Sequence, residues 1–253
     1  NRFKKHFEER IDNWKRDLNT INDMHTSLTE VQTSWSFLES LFIGSDEIKK
    51  ELPQDTERFK QIDIEVKQIL KRGVATKNIH KFAITVFENG KPLVKWLAEI
   101  IKRLGECERA LNIFMESKRT VFPRFYFISS VDLLDILSNG NNPMAVNKHI
   151  SKVILAIDKL EMLEHKGDRP SVKGMHTRVG KEYVPFYTEC KLLGKVETYL
   201  DLVLTFMIKS LRGIVKNSLT EFDTMEQFQW IEKTPSQVCL LADLIKFCYA
   251  TEN

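Results

Sequence analysis

The sequence is poor in the residues and runs that characterise loop-rich, disulfide-linked or membrane-spanning proteins. Its 253 residues include only 10 Gly and 7 Pro, which argues against an all-β fold with many turns. No apolar run approaches the ~20 residues of a membrane span, and no signal-peptide pattern opens the sequence. The four cysteines have neither zinc-like nor redox spacing, so we predict buried thiols of a reducing compartment: Cys107, Cys190, Cys239 and Cys248.

The sequence also lacks the charge pattern and the short motifs of several functional classes. Its net charge is only +3, and Lys and Arg are interspersed with Asp and Glu, so no basic stripe predicts nucleic-acid binding. Gly-x-x-x-x-Gly-Lys-Ser/Thr, His-Glu-x-x-His, Gly-x-Ser-x-Gly and Gly-x-Gly-x-x-Gly are all missing. Because the chain begins at Asn1 rather than Met, we expect it to be a piece of a longer protein.

The main feature of the sequence is the recurrence of apolar residues at the spacing of a helix. One stripe with steps of mostly four and three predicts a long helix, and it comprises Phe7, Ile11, Trp14, Leu18, Ile21, Met24, Leu28, Val31, Trp35, Leu38 and Phe42. Further helices are predicted over 46–52, from about Phe59 to a stop at Gly73, over 78–87 and over 92–118. The same spacing predicts a helix from Pro143 that fades near His165, and two more after Gly194 and after a Thr234-Pro235 cap.

The period changes to that of strands at one place only. Residues 171–177 and 182–186 flank a turn and predict a β-hairpin, whose Pro185 confines its strand to a sheet edge. The predicted fold is therefore mainly α, an elongated rod of consecutive short helical bundles with one small β-hairpin insertion at about 171–186. The predicted parts are a long N-terminal helix (1–43), a helical subdomain (44–120), an aromatic connector with helices (121–165), and the hairpin with a C-terminal helical subdomain (166–253).

The segment from Lys118 to Pro143 is the most informative part of the sequence. Pro123 stops the preceding helix, whose last turn holds Lys118 and Arg119, and four aromatics then fall within six positions: Phe122, Phe125, Tyr126 and Phe127. Ser129 and Asp132 form a capping box, with Ile128 and Leu133 as its hydrophobic staple. Asn139-Gly140 ends that helix, and Asn142-Pro143 starts the next. We predict a buried aromatic clamp between helices.

Three chemical alternatives remain beside this structural interpretation. Asp132 and Asp135 lie one helical turn apart and, with Arg124, could form an acid/base site. Arg119 and Arg124 could bind an anion, although carbonyls or carboxylates around the connector are the more favoured partners. His165, His176 and Cys190 could meet as metal ligands around the hairpin.

The same segment resembles the linker region of dynein heavy chains. The family pattern is Lys-Arg, two residues, Phe-Pro-Arg-Phe-Tyr-Phe, a Leu-Leu-x-Ile-Leu helix and Asn-Pro, and all of it stands between Lys118 and Pro143. Leu41-Phe42-Ile43-Gly44-Ser45 is most similar to outer-arm axonemal members. Val196-Glu197 and Leu200 fit Val-Glu-x-Trp-Leu, except that Tyr199 replaces the Trp. The hairpin turn departs from the acidic turn of relatives.

The resemblance implies a mechanical rather than a catalytic role. A dynein linker is a lever that lies across the AAA+ ring of the same heavy chain and swings with the ATP cycle. The nucleotide sites lie outside this segment, so the resemblance implies no cofactor here, with ATP and Mg in the motor ring, and it implies partners in other dynein chains and microtubules, but neither nucleic acid nor membrane. It places the protein in the cytoskeleton, in a ciliary or flagellar axoneme.

The resemblance also assigns structural signature positions, which we interpret as a joint: Lys118, Arg119, Phe122, Pro123, Arg124, Phe125, Tyr126, Phe127, Asn142 and Pro143. A helical scaffold or tether unrelated to motors is the alternative function.

Overall fold

The computed structural model describes residues 4–87, 90–164 and 169–252 of the chain. The chain divides into two compact units, Asn1–Phe114 and Met115–Asn253, called unit one and unit two below. The four-part division drawn from the sequence stays a prediction. Within the described ranges, no helix is both long and apolar enough to cross a membrane.

Unit one is helical in its described part. It contains α1 (Lys4–Phe42), α2 (Asp46–Glu51), α3 (Pro53–Thr76), α4 (Ile79–Ala83) and the first part of α5 (Leu93–Val121). The predicted long N-terminal helix is thus confirmed, and α1 packs on α3 and α4. The Phe42 and Phe59 rings stack at 5.5 Å, and the Trp35 indole N–H donates to the Asp63 carboxylate at 3.0 Å.

Three element boundaries in unit one differ from the predicted ones. The helix predicted from about Phe59 begins earlier, because Pro53 is the first residue of α3, as its fixed φ allows. Gly73 does not stop α3, which continues to Thr76 and ends on Lys77 in the left-handed conformation (φ 52°). The predicted helix over 78–87 is shorter, because α4 ends at Ala83.

Unit two combines helices with a small sheet. After the end of α5 come a 3-10 segment (Pro123–Phe127), α6 (Ser130–Ser138), α7 (Pro143–Asn147) and α8 (Ile150–Val153). The strands are β1 (Ile157–Leu163), β2 (Ser171–Thr177) and β3 (Tyr183–Lys191). The last elements are α9 (Val196–Glu221), α10 (Gln227–Lys233) and α11 (Ser236–Glu252). The mainly α class and the hairpin are confirmed.

The prediction of a continuous helix from Pro143 to about His165 is wrong. Its first part is the short helices α7 and α8, but Ile157–Leu163 is strand β1, paired antiparallel with β2. The register shifts between Ile157 and Lys159, and such a bulge places one extra residue in the strand. Ile157 and Leu160 are therefore both buried three residues apart, which imitates the spacing of a helix. His165 lies outside the described residues.

Side chains bond to the outer strands of the sheet, whose order is β1-β2-β3. Pro185 lies in the edge strand β3, as predicted. The Tyr187 N–H of β3 donates to the Ser210 hydroxyl of α9 at 3.0 Å. On β1, the Asn147 side-chain amide donates to the Leu160 carbonyl (3.0 Å) and accepts from the Leu160 N–H (2.9 Å), as a neighbouring strand would.

The start of α11 is capped by a distant residue rather than by the predicted Thr234-Pro235. Thr234 ends α10, and α11 begins at Ser236, whose N–H donates to Glu182 Oε1 at 3.1 Å. A carboxylate suits the positive end of a helix dipole. Glu182 of the hairpin turn therefore fixes the start of the last helix.

The cysteine prediction is correct for two thiols and wrong for the other two. Cys107 and Cys190 are buried, but Cys239 is half-buried and Cys248 is exposed on α11. Burial raises the pKa of both the Cys107 and the Cys190 thiol to about 11. The difference follows from α11, whose outward face is apolar, so the sequence alone does not reveal which face is buried.

The thiols should therefore react with a disulfide reagent in two classes. At pH 8 a thiol with a pKa of about 11 is about one-thousandth thiolate, and only the thiolate attacks. We expect Cys248 to react first, while Cys107 and Cys190 react only when the chain unfolds. Mass spectrometry of the partly labelled native chain checks this order. Rapid native labelling of Cys107 would contradict it.

Two glycine substitutions should change stability in opposite directions. A Cβ on Gly174 would lie 2.6 Å from the Tyr183 ring and 2.7 Å from the Val184 carbonyl oxygen, so Gly174→Ala should cost about 1–3 kcal/mol through overpacking. Gly213 lies inside α9 with open space around its added Cβ, so Gly213→Ala should stabilise by about 0.5–1 kcal/mol. Urea unfolding measures both, and equal effects would contradict the packing of β2 on β3.

Candidate functional site

The end of α5 is formed as the sequence predicts. The helix stops at Val121, two residues before Pro123, and its last turn holds Lys118 and Arg119. Phe122 is extended (φ −126°, ψ 91°), as a residue before proline prefers, and caps the 3-10 segment. The chain thus leaves α5 through a short ordered segment.

Of the four aromatic rings predicted to form a buried clamp, two are buried in the structure. Phe122 and Phe125 are buried, with centroids 4.9 Å apart and planes at 77°. Tyr126 and Phe127 are 58% and 77% exposed, so the prediction that they are core residues is wrong. A 3-10 helix has three residues per turn, so every third residue shares a face, and Phe122, Phe125 and Ile128 take the inward one.

The caps around the clamp have the predicted geometry. The Asp132 N–H donates to the Ser129 hydroxyl oxygen at 3.1 Å, and the staple residues Ile128 and Leu133 are both buried. The Asn142 side chain accepts from the Ala145 N–H at 3.3 Å, which starts α7 at a buried Pro143. These contacts fix the direction of the chain at both ends of α6.

Each of the two aspartates of α6 contacts a basic side chain rather than forming an acid/base pair with the other. Lys152 Nζ lies 2.7 Å from Asp132, and His149 Nε2 lies 2.6 Å from Asp135. The hydrogen bonds from Lys152 and Ser129 hold the pKa of Asp132 below its ordinary value. A general acid at neutral pH requires a raised pKa, so this arrangement does not favour the acid/base alternative.

The two arginines beside the aromatics differ in what surrounds them. Arg119 Nη1 donates to Glu116 at 2.6 Å, its Nη2 lies 3.3 Å from the Ser130 hydroxyl, and its guanidinium lies 5.9 Å from the Tyr126 ring centre. The prediction that it satisfies a carboxylate is confirmed. Arg124 is half-buried in the 3-10 segment, and its partner stays a prediction.

A buried ion pair joins the end of α5 to the start of α9. Lys118 Nζ donates to Glu197 Oε1 at 2.8 Å, and the side chains are only 9% and 7% exposed. Lys118 lies in the last turn of α5 and Glu197 in the first turn of α9. Each charge therefore also interacts favourably with the dipole of its own helix, because its sign is opposite to that of the helix end where it lies. Sequence reasoning assigned Lys118 to the signature but missed this partner, 79 residues away.

Arg169 ties two further parts of unit two to this region. Its guanidinium donates to the Gly194 carbonyl at 2.6 Å, just before α9, and to the Asn141 side chain, just before α7. Next to Glu197, Tyr199 is fully buried, and burial raises the pKa of its hydroxyl. That hydroxyl has no hydrogen-bond partner among the described residues. No local sequence signal points to Arg169, which belongs to no capping or helical pattern.

The metal alternative does not assemble in the described part of the chain. His176 pairs with Glu161 at 2.6 Å, and Cys190 lies opposite Val172 in the sheet, four residues along β2 from His176. Four residues of strand span roughly 13 Å, too far for two ligands of one ion. His165 is not among the described residues, which hold no cluster of three metal-binding side chains.

Comparisons with known proteins identify the family. Residues 1–218 match the family model described as "Dynein heavy chain, N-terminal region 2". The flagellar outer arm dynein alpha chain of Chlamydomonas reinhardtii is 42% identical over all of this chain and 6% of its own length. Human dynein axonemal heavy chain 17 is 40% identical over 93% of this chain and 5% of its own length. The ciliary dynein beta chain of Tripneustes gratilla is 38% identical over the same shares.

These relatives identify the family, but each of them is much longer than this chain. The chain spans only 5–6% of the length of the relatives described above, whose names are axonemal, ciliary or flagellar. The matched family model covers the aromatic clamp, the sheet and most of α9. On these matches, the chain belongs to the dynein heavy chain family and represents its N-terminal region 2.

Proposed function

We propose that this segment is the mechanical linker of an axonemal dynein heavy chain. It docks across the AAA+ ring of the same heavy chain and swings with the ATP cycle, so that the motor moves along microtubules in a cilium or flagellum. ATP and Mg bind in the ring, outside this segment. The proposal is supported by family membership and by the axonemal, ciliary and flagellar names of the relatives.

The observation that carries a force-transmitting role is the buried ion pair between Lys118 and Glu197. A lever must keep its shape under load between the places where it bends. The pair fixes the end of a 29-residue helix against the start of a 26-residue helix, and separating the two charges would break a contact that is shielded from water. The alternative function, a helical scaffold or tether unrelated to motors, does not require the contact between α5 and α9 to be stiff.

The packed rings beside the pair support the same role. Phe122 and Phe125 fill the space under the 3-10 segment, while the caps at Ser129 and Asn142 fix the chain direction after it. Signature residues thus make the contacts that hold consecutive helices. The signature therefore functions as a packed joint of the lever.

A first prediction concerns coupling in the complete motor. Phe125→Leu removes the edge-to-face ring contact but keeps an apolar side chain, so the motor should hydrolyse ATP at a near-normal rate yet move microtubules at less than half the normal speed. Phe127→Leu is the matched control, because Phe127 is 77% exposed. Microtubule gliding and stimulated ATPase assays give both values.

Phe125→Ala is the stronger variant of the same test. Deleting a buried ring costs about 3–5 kcal/mol, so its thermal unfolding must be measured beside gliding speed. Normal gliding by Phe125→Ala at unchanged stability would contradict the joint. Saturable ATP binding by the 253-residue chain alone would instead contradict the linker assignment.

A second prediction concerns the ion pair. Lys118→Met or Glu197→Leu alone leaves one buried charge and should destabilise the chain by about 3–5 kcal/mol. The double variant leaves no charge and should cost clearly less than the sum of the single variants. Urea unfolding of the three variants measures the coupling.

Lys152→Met, at a half-exposed ion pair with Asp132, is the control and should cost less than about 1 kcal/mol. Additive single effects would contradict a tight pair.

A further inference from the structure

The first half of α1 carries four large apolar side chains that unit one leaves exposed. Their exposed fractions are 47%, 38%, 52% and 58% for Phe7, Ile11, Trp14 and Leu18. With Arg10 and Lys15 they line an open groove along the helix. The four residues follow one another in steps of four, three and four, which is the spacing of a coiled-coil seam. We call them the α1 seam.

The α1 seam is out of register with the buried stripe of the same helix. Leu18, Ile21 and Met24 are separated by two successive steps of three, after which the alternation resumes. Such an extra three-residue step turns an apolar seam to a new direction around the helix. From Met24 onward the stripe is buried or half-buried in unit one, whereas the α1 seam is exposed apart from the contact of the Trp14 ring with the His80 ring at 5.6 Å. The seam is therefore a separate packing surface, suited to another helix.

The charges beside the α1 seam indicate which helix fits. With Ile11 and Leu18 at a positions of the heptad, Glu8 and Lys15 occupy the e side, and Arg10 and Asp17 occupy the g side. In an antiparallel pair of identical helices, e faces e and g faces g. Glu8 then meets Lys15 of the second copy, and Arg10 meets Asp17. Every flanking contact is attractive.

A parallel pair of the same helices fits poorly. It places g against e, so that Arg10 meets Lys15 of the second copy and repels it. It also stacks Trp14 on Trp14 and Phe7 on Phe7. The antiparallel pair instead matches Phe7 with Leu18 and Ile11 with Trp14, one aromatic against one aliphatic side chain in each layer. Both volume and charge thus select one orientation.

We propose that the α1 seam binds the same seam of a second copy of this chain, antiparallel to it. Asp17 bonds His80 of α4 at 2.9 Å, and its side chain remains 37% exposed, so that the carboxylate is still accessible to Arg10 of the second copy. Four layers bury less area than the ~1,200 Å² of stable specific interfaces, so the dimer is weak. It forms where two heavy chains are held close together, since proximity raises the effective concentration.

The test measures dimerisation of the 253-residue chain by sedimentation equilibrium, from micromolar to near-millimolar concentration at low salt. Lys15→Glu turns both Glu8–Lys15 contacts of the antiparallel dimer repulsive, and the dissociation constant should rise about tenfold. In a parallel dimer the same substitution would remove the repulsion from Arg10 and tighten binding. Adding Glu8→Lys to Lys15→Glu should restore the original affinity.

Two controls complete the experiment. Glu9→Lys changes the charge equally but lies off the seam on the exposed face, so it should leave the dissociation constant within about twofold. Leu18→Asp puts a charge into the seam and should abolish the dimer, while circular dichroism confirms that the helices persist. A wild-type chain that stays monomeric throughout, a dimer that tolerates Leu18→Asp, or tighter binding by Lys15→Glu would overturn the proposal.

Discussion

The architecture of unit two depends on the buried contact between Lys118 and Glu197. Two charges at 2.8 Å are favourable away from water only while both are present, so the contact acts as a strict requirement on where α5 ends and α9 begins. The packed rings, the caps of α6 and the bridge made by Arg169 all lie between these two points along the chain or close to them.

Local chemistry predicted the features whose causes are local. Pro123, the Ser129 cap of α6 and the Asn142-Pro143 start all act within a few residues, and each appears as expected. The prediction that the whole aromatic run is buried was only half correct. The sequence of the run does not reveal that it forms a helix with three residues per turn, which turns some rings inward and others outward. Likewise, the bulge in β1 imitates helical spacing at Ile157 and Leu160, so periodicity alone could not separate strand from helix there.

The missed residues of the site share one property, which is a partner far away in the sequence. Glu197, Arg169 and Glu182 each bond across 25 or more residues, and a window of sequence reveals none of these three contacts. Family resemblance marked Val196-Glu197 as a pattern without showing its contact. The fold class was predictable from spacing, whereas the connections that stiffen the site require the tertiary structure.

The bonds on the outer strands of the sheet have a consequence for assembly. A free strand edge offers N–H and C=O groups to any neighbouring chain, and strand addition is a common route to unwanted association. Ser210 already bonds Tyr187 on one outer strand, and Asn147 occupies both backbone groups of Leu160 on the other. Copies of this chain can therefore lie close together while each sheet stays closed to strands from its neighbours at these positions.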